Sequence, residues 1–162
     1  MTDDQYELPP SMRARVPFLL YRTAQASHVL ANQMLAEIDL TARQVGILTL
    51  ITERGPMTQK ELGGELEIDR TTMVELLDRL EERGLVERRR HPADRRAFMI
   101  HPTRSGLAAK DDAIRILDQQ QAAFLKPLSK SDRGVLADLL NRLYVHTRRS
   151  PSPSTRPPRA ER

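Results

Sequence analysis

The sequence has no cysteine among its 162 residues and no long hydrophobic run. Without thiols the chain forms no disulfides, has no thiol redox sensor and offers no thiolate ligand to a metal. No window approaches the apolar length of about 18 residues that spans a bilayer. The first ten residues, MTDDQYELPP, also lack the apolar core of a signal peptide. We therefore expect a cytoplasmic protein of about one domain.

Lysine is scarce as well, with four residues against 22 arginines, and the arginines are unevenly distributed. Residues 83–104 contain seven arginines and two acidic residues, and residues 148–162 contain five arginines and one glutamate. The rest of the chain is acidic, because the net charge of the whole is only +4. Positive charge gathered in one segment and one tail is typical of a polyanion binder, although such runs also occur as plain solvated surface.

Local sequence signals predict four helices in the first half of the chain. Apolar residues at helical spacing predict a long first helix over residues 13–38. The capping-box patterns Thr41–Gln44 and Thr58–Glu61 predict the starts of the second and third helices. Asp69 is the expected cap of a fourth helix that ends at Arg83-Gly84. The third and fourth helices together have the pattern of a helix-turn-helix.

A hairpin and two further helices are predicted after this pair. The runs Val86–Arg90 and Ala97–His101 have strand character and flank a turn that contains proline. Helices are expected from Thr103 and after Ser129, with apolar residues on one face of each. The resulting assignment is a flexible arm (1–12), a helical dimerisation region (13–40 and 103–147), a DNA-binding region (41–102) and a disordered basic tail (148–162).

The outer helices carry apolar stripes that residues 41–102 have little free surface to cover. The simplest solution is a second copy of the chain, paired across a two-fold axis. We expect this interface to include residues on the first helix and the last two helices, namely Leu19, Leu30, Leu117, Leu139 and Leu143. A closed monomeric bundle of the same helices is the alternative.

A helix pair followed by a basic hairpin is the arrangement with which small proteins bind duplex DNA. Only the first turns of a recognition helix normally reach base edges, whereas the preceding helix and the hairpin contact the backbone or the minor groove. The predicted contacts of the two helices are Thr58, Gln59, Lys60, Arg70, Thr71, Thr72, Val74, Glu75 and Arg79. Those of the hairpin are Arg88, Arg89, Arg90, His91, Asp94, Arg95 and Arg96.

The hairpin tip has a predicted internal contact as well. Asp94 lies two residues before Arg96, so its carboxylate can pair with the guanidinium and fix the direction of that side chain. A guanidinium held in this way suits a narrow, electronegative minor groove. The alternative is an ordinary solvated turn.

Signals for catalysis are weak. The four histidines share no metal-ligand spacing, and no glycine-rich phosphate loop follows a strand. We therefore expect no enzyme activity, no cofactor and no metal. Arg22 and His28 lie near the apolar stripe of the first helix and are candidates for a ligand crevice, although such residues are more often ordinary surface groups.

The segments LTARQVGILTLI and MTQKELGGELEIDRTTMVELLDRLEERGLVERRRHPADRRAFMIHPTRSG resemble the MarR family of bacterial transcriptional regulators. The resemblance runs over residues 13–147, and Asp94-Arg95-Arg96 stands where that family has its DxR wing motif. It implies a mainly α (α+β) fold, a winged helix-turn-helix with long N- and C-terminal dimerisation helices. The recognition helix would be Arg70–Arg83 and the wing Val86–His101. Gly63, Gly64 and Glu67 depart from the family pattern. The two glycines stand in the third helix where the family usually has better helix formers, and Glu67 stands where the turn often has glycine.

The resemblance further implies a homodimer that binds pseudo-palindromic operators, usually as a repressor, and releases DNA when a small anionic or phenolic ligand binds. The expected partners are therefore double-stranded DNA, a second copy of the chain and a small organic effector, and the expected location is the nucleoid. Two alternatives from another class stay open. They are a nonspecific architectural DNA binder and a protein-interaction adaptor, and operator specificity distinguishes both from a regulator.

Overall fold

The computed structural model describes residues 8–94 and 96–149. Arg95 of the predicted wing, residues 1–7 of the predicted arm and residues 150–162 of the predicted tail lie outside the described residues. The chain divides into two compact units, residues 1–122 and 123–162.

Helices dominate the described residues and are accompanied by three short strands. In chain order the elements are α1 (Pro10–Arg13), α2 (Val16–Leu35), α3 (Ala42–Glu53), β1 (Met57–Thr58), α4 (Gln59–Leu66), α5 (Arg70–Glu82), β2 (Val86–Arg90), β3 (Phe98–Pro102), α6 (Arg104–Phe124) and α7 (Lys130–Arg149). The predicted mainly α fold is therefore confirmed. Among the described residues, no helix combines the length and the apolar composition of a membrane-spanning segment.

The predicted first helix, residues 13–38, is interrupted at both ends. One short turn, α1, precedes α2. Helix α2 has a proline in its first turn, where backbone N–H groups have no hydrogen-bond partner within the helix, so the N–H that proline lacks is not needed. After Leu35 a 3₁₀ turn, Ala36–Ile38, tightens the chain, and Asp39 adopts a left-handed conformation with φ of 54°. The backbone N–H of Leu40 then donates to the carbonyl of Leu35 (3.1 Å), which closes the turn in the manner of a helix C-cap.

Side-chain caps set the starts of the three central helices as the sequence predicted. Thr41 and Gln44 form a capping box at α3, and Thr58 and Glu61 form one at α4. Asp69 accepts from the backbone N–H of the third residue of α5. Each cap satisfies N–H groups that have no partner inside the helix.

The three strands form one antiparallel sheet in the order β1-β3-β2. In this register Arg88 of β2 and Met57 of β1 both lie beside Ile100 of the central strand. Strand β1 was not predicted, because it consists of two residues whose partners lie about 40 residues away in sequence. The hairpin β2–β3 was predicted, with β3 displaced by one residue from Ala97–His101.

The hydrophobic core lies between the end of α2, α3, α4, α5, the sheet and the middle of α6. Ala113 of α6 is fully buried in it, and Leu117 packs against it, so the stripe of α6 is partly covered within the chain. From the sequence, Leu117 was expected to be buried only by a dimer interface, so this expectation is corrected. Helix α6 can approach the backbone of Leu85 closely because Gly106 has no side chain. A Cβ at this position would lie 1.9 Å from the carbonyl oxygen of Leu85, so only glycine fits.

Helix α7, in the second unit, buries none of its residues. Its cap is Ser129, whose hydroxyl accepts from the backbone N–H of Asp132 (3.2 Å). The helix extends to Arg149, so the first two residues of the predicted basic tail are helical.

Candidate nucleic-acid interface

Helix α5 presents its first turns to solvent because its apolar residues face the core. Met73, Leu77 and Leu80 are fully buried, whereas Thr71 and Glu75 are exposed on the other side of the helix. Hydrophobic burial therefore fixes the rotation of the helix about its axis. Of the other predicted contacts on α5, Arg70 and Arg79 are exposed and Thr72 and Val74 are half-buried.

The start of α5 is held by a carboxylate. Asp69 accepts hydrogen bonds from the backbone N–H of Thr72 (3.0 Å) and from its hydroxyl (2.7 Å). These bonds, the backbone one first, hold the pKa of Asp69 below its ordinary value. The hydroxyl of Thr72 thus has an internal acceptor, whereas the sequence pattern suggested that it faces a base.

A carboxylate also holds the start of α4, but here it belongs to the third residue of the helix. Glu61 accepts from the backbone N–H of Thr58 (2.7 Å) and from its hydroxyl (2.8 Å). These hydrogen bonds, again the backbone one first, lower the pKa of Glu61. Lys60 is exposed on the same turn, and the side-chain amide of Gln59 donates to the carbonyl of Arg70 (3.5 Å), a long contact that links α4 to α5.

A cleft of about 600 Å³ separates the two helices from the hairpin. Six of the predicted contacts line it, from β1, α4, α5, β2 and the hairpin loop: Thr58, Gln59, Lys60, Arg70, Arg88 and Arg96. Sequence reasoning did not assign Phe98 to this surface, although it lines the cleft and is 44% exposed. The fold therefore brings cations from distant parts of the sequence to one concave surface.

Arg88 of the hairpin has two acidic partners on α5. Its guanidinium forms ion pairs with Asp78 and Glu81, and its backbone N–H donates to Glu81 (3.3 Å). The side chain is only 26% exposed. Arg88 thus connects strand β2 to the recognition helix. Sequence analysis did not predict this pairing, although the spacing of Asp78 and Glu81, about one helical turn apart, places both carboxylates on one side of the helix.

The hairpin loop is organised by side chains that accept backbone N–H groups. Asp94 accepts from the backbone N–H of Arg96 (2.9 Å), and the Nδ1 atom of His91 accepts from the backbone N–H groups of Ala93 (3.1 Å) and Asp94 (3.0 Å). The prediction that Asp94 pairs with the guanidinium of Arg96 is therefore corrected. The carboxylate forms an Asx turn with the backbone instead, since that N–H lies two residues on in the same turn.

The remaining predicted contacts lie in different places. On β2, Arg89 forms an ion pair with Glu87, and the guanidinium of Arg90 lies 5.7 Å from the ring centroid of Phe98. Arg79, further along α5, lines another hollow, which includes Thr41.

Arg83, at the carboxyl end of α5, has a role that sequence reasoning missed. Its guanidinium donates to the carbonyls of Ile38 (3.1 Å) and Asp39. The end of the recognition helix is therefore tied to the turn that follows α2.

The candidate ligand residues Arg22 and His28 are exposed and line one open hollow of about 590 Å³ on α2. The hollow is shallow and consists of residues from α2 alone. Over residues 8–94 and 96–149, no three histidine or acidic side chains are placed to hold a metal ion.

A helix pair with an exposed second helix, followed by an arginine-rich hairpin, defines a winged helix-turn-helix DNA-binding protein. The model of the MarR family matches residues 40–98 of the chain. A regulator of organic hydroperoxide resistance from Bacillus subtilis is 30% identical over 120 residues, which cover 70% of this chain and 82% of that protein. The chain therefore belongs to the MarR family of transcriptional regulators.

Other relatives agree with this assignment. A putative regulatory protein for the hcr operon of Thauera aromatica is 33% identical over 107 residues, which cover 66% of this chain and 64% of that protein. The crystal structure of a MarR mutant from E. coli with operator DNA has a TM-score of 0.71 and 27% identity, over 79% of this chain and 94% of that one. The PcaV regulator of Streptomyces coelicolor, in complex with its natural ligand, has a TM-score of 0.72 and 27% identity, over 85% and 97%.

Proposed function

We propose that this transcriptional regulator is a homodimeric repressor that reads a pseudo-palindromic operator with α5 and the wing. The observation that carries the proposal is the cleft, where cations of α4, α5 and the hairpin loop converge beside the exposed first turns of the recognition helix. Lys60 and Arg96 are the phosphate and minor-groove contacts in this proposal, and Thr71 and Glu75 are the base contacts.

Self-association follows from unburied apolar surface. Of the twelve large apolar side chains that are exposed in the described residues, six lie on α7 and three on α2. Exposed apolar surface of this extent on amphipathic helices marks an interaction site. We assign it to a second copy, with residues 13–40 and 103–147 as the dimerisation region and residues 41–102 as the DNA-binding region, although the middle of α6 also completes the core of the latter.

The experiment that tests the DNA function is sequencing of the genomic fragments retained by the purified protein. We expect two half-sites related by a dyad and spaced about 10 base pairs apart, because a two-fold dimer presents its recognition helices to successive major grooves. Salt-dependent binding without sequence preference would indicate an architectural DNA binder instead. Absence of DNA affinity would indicate a protein adaptor.

Three variants then separate reading of bases from binding of the backbone. Thr71→Ala and Glu75→Ala should relax base preference at particular operator positions by about 1–3 kcal/mol each. Lys60→Ala should weaken all sequences alike and reduce the salt dependence of binding. Unchanged preference in both α5 variants would show that this helix does not read the groove.

Repression is the simplest mode of action, because a dimer seated on a promoter excludes other proteins without contacting them. The protein would then act in the cytoplasm, at the nucleoid, as a binding protein without catalysis. We infer a small organic anion or phenol as the effector, since Arg22 and His28 can donate to a carboxylate or phenolate in the hollow of α2. A panel of small aromatic acids, tested for release of operator DNA from the protein and from its Arg22→Ala variant, checks this.

A further inference from the structure

His91 is the residue on which the described geometry of the wing loop depends most. Its backbone N–H donates to the carbonyl of Ala97 (3.0 Å), and Ala97 in turn donates to the carbonyl of Asp94 (3.0 Å). Its ring nitrogen Nδ1 accepts from two successive N–H groups, those of Ala93 and Asp94. One histidine therefore has three hydrogen bonds to the loop, and all of them hold the segment that leads to Arg96.

We propose that His91 is a positioning residue for DNA recognition: its neutral imidazole caps the wing loop and thereby aims Arg96 at the DNA. This inference rests on the proposed operator-binding function. The chain of contacts is short, because the N–H of Asp94 is held by His91 and the carboxylate of Asp94 holds the N–H of Arg96. Loss of the first contact frees the residue that makes the second.

The capping role requires one protonation state. An imidazole nitrogen can accept a hydrogen bond only through its lone pair, so Nδ1 must be unprotonated and the ring proton must lie on Nε2. A protonated ring has two donors and no acceptor. Protonation therefore removes both hydrogen bonds to Ala93 and Asp94 at once.

The charges around the ring favour a change of contacts on protonation. The pKa of Glu61 on α4 is lowered mainly by the hydrogen bonds of Thr58, and a positive charge on His91 lowers it further. Glu61 thus offers a negative charge outside the loop, and Asp94 offers one within it. The hairpin sequence also carries the positive charges of Arg88, Arg89, Arg90, Arg95 and Arg96, which oppose an added positive charge on His91.

This role and simple electrostatics predict opposite effects of acid. If His91 acted only as a charge near the phosphates, its protonation would tighten binding to DNA. If it caps the loop, protonation should weaken operator binding, because the backbone at Arg96 is no longer held in the geometry that directs its side chain. The sign of the pH dependence that disappears with His91 therefore decides between them.

The experiment compares the full-length protein with His91→Asn and His91→Ala. The Oδ1 atom of asparagine stands at the same bond separation from Cα as Nδ1, so it can accept the same N–H groups and does not titrate. From pH 8 to pH 5.5, we expect the affinity of the unmodified protein for its operator to fall about tenfold, the loss expected for two backbone hydrogen bonds. His91→Asn should keep the high affinity at both pH values, and His91→Ala should be weak at both.

Tighter binding of the unmodified protein in acid, or equal affinity of His91→Ala and the unmodified protein, would overturn the proposal.

A measurement without DNA separates this inference from the operator function. Nitrogen-15 NMR of the ring at pH 8 should show Nδ1 unprotonated, with the amide protons of Ala93 and Asp94 protected from exchange and their protection lost at pH 5.5. A ring protonated at Nδ1 at pH 8 would overturn the capping role even if the protein binds its operator. Failure of the unmodified protein to select any operator would overturn the proposed function, whereas the ring and amide signals would still decide the role of His91.

Discussion

Helices α5 and α7 have similar amphipathic sequences but opposite degrees of burial. In α5 the apolar stripe is buried by the rest of its own unit, and Met73, Leu77 and Leu80 have no exposed surface. In α7 the corresponding stripe is exposed, with Leu139 and Leu143 each at 48%. Helical periodicity indicates that an apolar face is buried, but it does not indicate whether the same chain or a second copy buries it. We infer that the stripe of α5 belongs to the fold of the monomer and that of α7 to the assembly.

The largest expected effect comes from placing the same charge on each stripe. Leu77→Glu buries a carboxylate in the core and should unfold the DNA-binding region, at a cost above about 4 kcal/mol. Leu139→Glu combined with Leu143→Glu should leave most of the helical circular dichroism intact but convert the dimer to a monomer in sedimentation velocity. Operator affinity should then fall by about 100-fold or more, because the two half-sites are no longer bound by one particle.

Asn141→Glu is the matched control for these α7 variants. It adds one carboxylate two residues from each of these leucines, on the opposite face of α7, since successive residues are rotated by about 100°. It should leave both the dimer and operator binding unchanged. A folded monomer of the unmodified protein in dilute solution would remove the distinction between the two stripes.

Two glycines extend the comparison to a second buried helix, because Gly106 of α6 packs against the core and Gly134 lies on the exposed α7. Gly106→Ala forces a Cβ against the carbonyl of Leu85, a backbone atom that cannot move aside, and should lower the free energy of unfolding by about 3 kcal/mol. Gly134→Ala on α7 meets nothing within 4 Å and should stabilise its helix by up to about 1 kcal/mol. Chemical denaturation of both variants measures the difference. Equal effects would mean that α6 does not depend on the close approach at Leu85.

A smaller effect is expected from the contacts between α5 and the wing. Asp78→Asn combined with Glu81→Gln removes the acidic partners of Arg88 and should lower stability by about 1 kcal/mol, since the side chains are partly exposed. Operator affinity should fall as well, because the recognition helix and β2 lose their connection. Bulk electrostatics predicts a higher operator affinity instead, since two negative charges are removed from a surface that binds DNA. Tighter binding in fluorescence anisotropy would therefore show that these ion pairs do not position the wing.

The sequence located those features whose partners lie within one turn of each other. The capping boxes at Thr41 and Thr58 and the cap at Asp69 needed only a residue and its third successor, and all three were predicted. The start of β2 was predicted because alternation and a turn define a hairpin locally. The general position of the candidate interface followed from these elements.

Features that depend on tertiary contact were missed or changed. Strand β1 exists because Met57 pairs with Ile100, and no local pattern in two residues shows this. The pairing of Arg88 with α5 depends on how the hairpin folds back, so the sequence counted this arginine among the DNA contacts. The carboxylate of Asp94 accepts from the backbone N–H of Arg96 and not from its guanidinium. The turn already fixes this N–H two residues on, whereas a guanidinium loses rotational freedom when it pairs.

The smallest expected effect contrasts the caps of α5 and α7 in acid. The cap of α5 is the carboxylate of Asp69, whose pKa is lowered from its ordinary 3.8 by hydrogen bonds from Thr72. A group with a lowered pKa in the folded state stabilises fully above its unfolded pKa and loses that contribution as pH falls through the folded pKa. The cap of α7 is the hydroxyl of Ser129, which does not titrate in this range.

Below pH 4, therefore, α5 should lose protection at its first turn while α7 keeps its own. Asp69→Ser gives α5 an acceptor of the same kind as that of α7 and should abolish this part of the acid dependence, with little change at pH 7, because serine and aspartate cap helices about equally well. Hydrogen exchange of the Thr72 amide between pH 5 and pH 3, corrected for its intrinsic rate, measures the effect. If Asp69→Ser and the unmodified protein lose protection at the same pH, carboxylates other than Asp69 account for the acid sensitivity of the DNA-binding region. Glu61, at the start of α4, is the first of these to test, with Glu61→Gln.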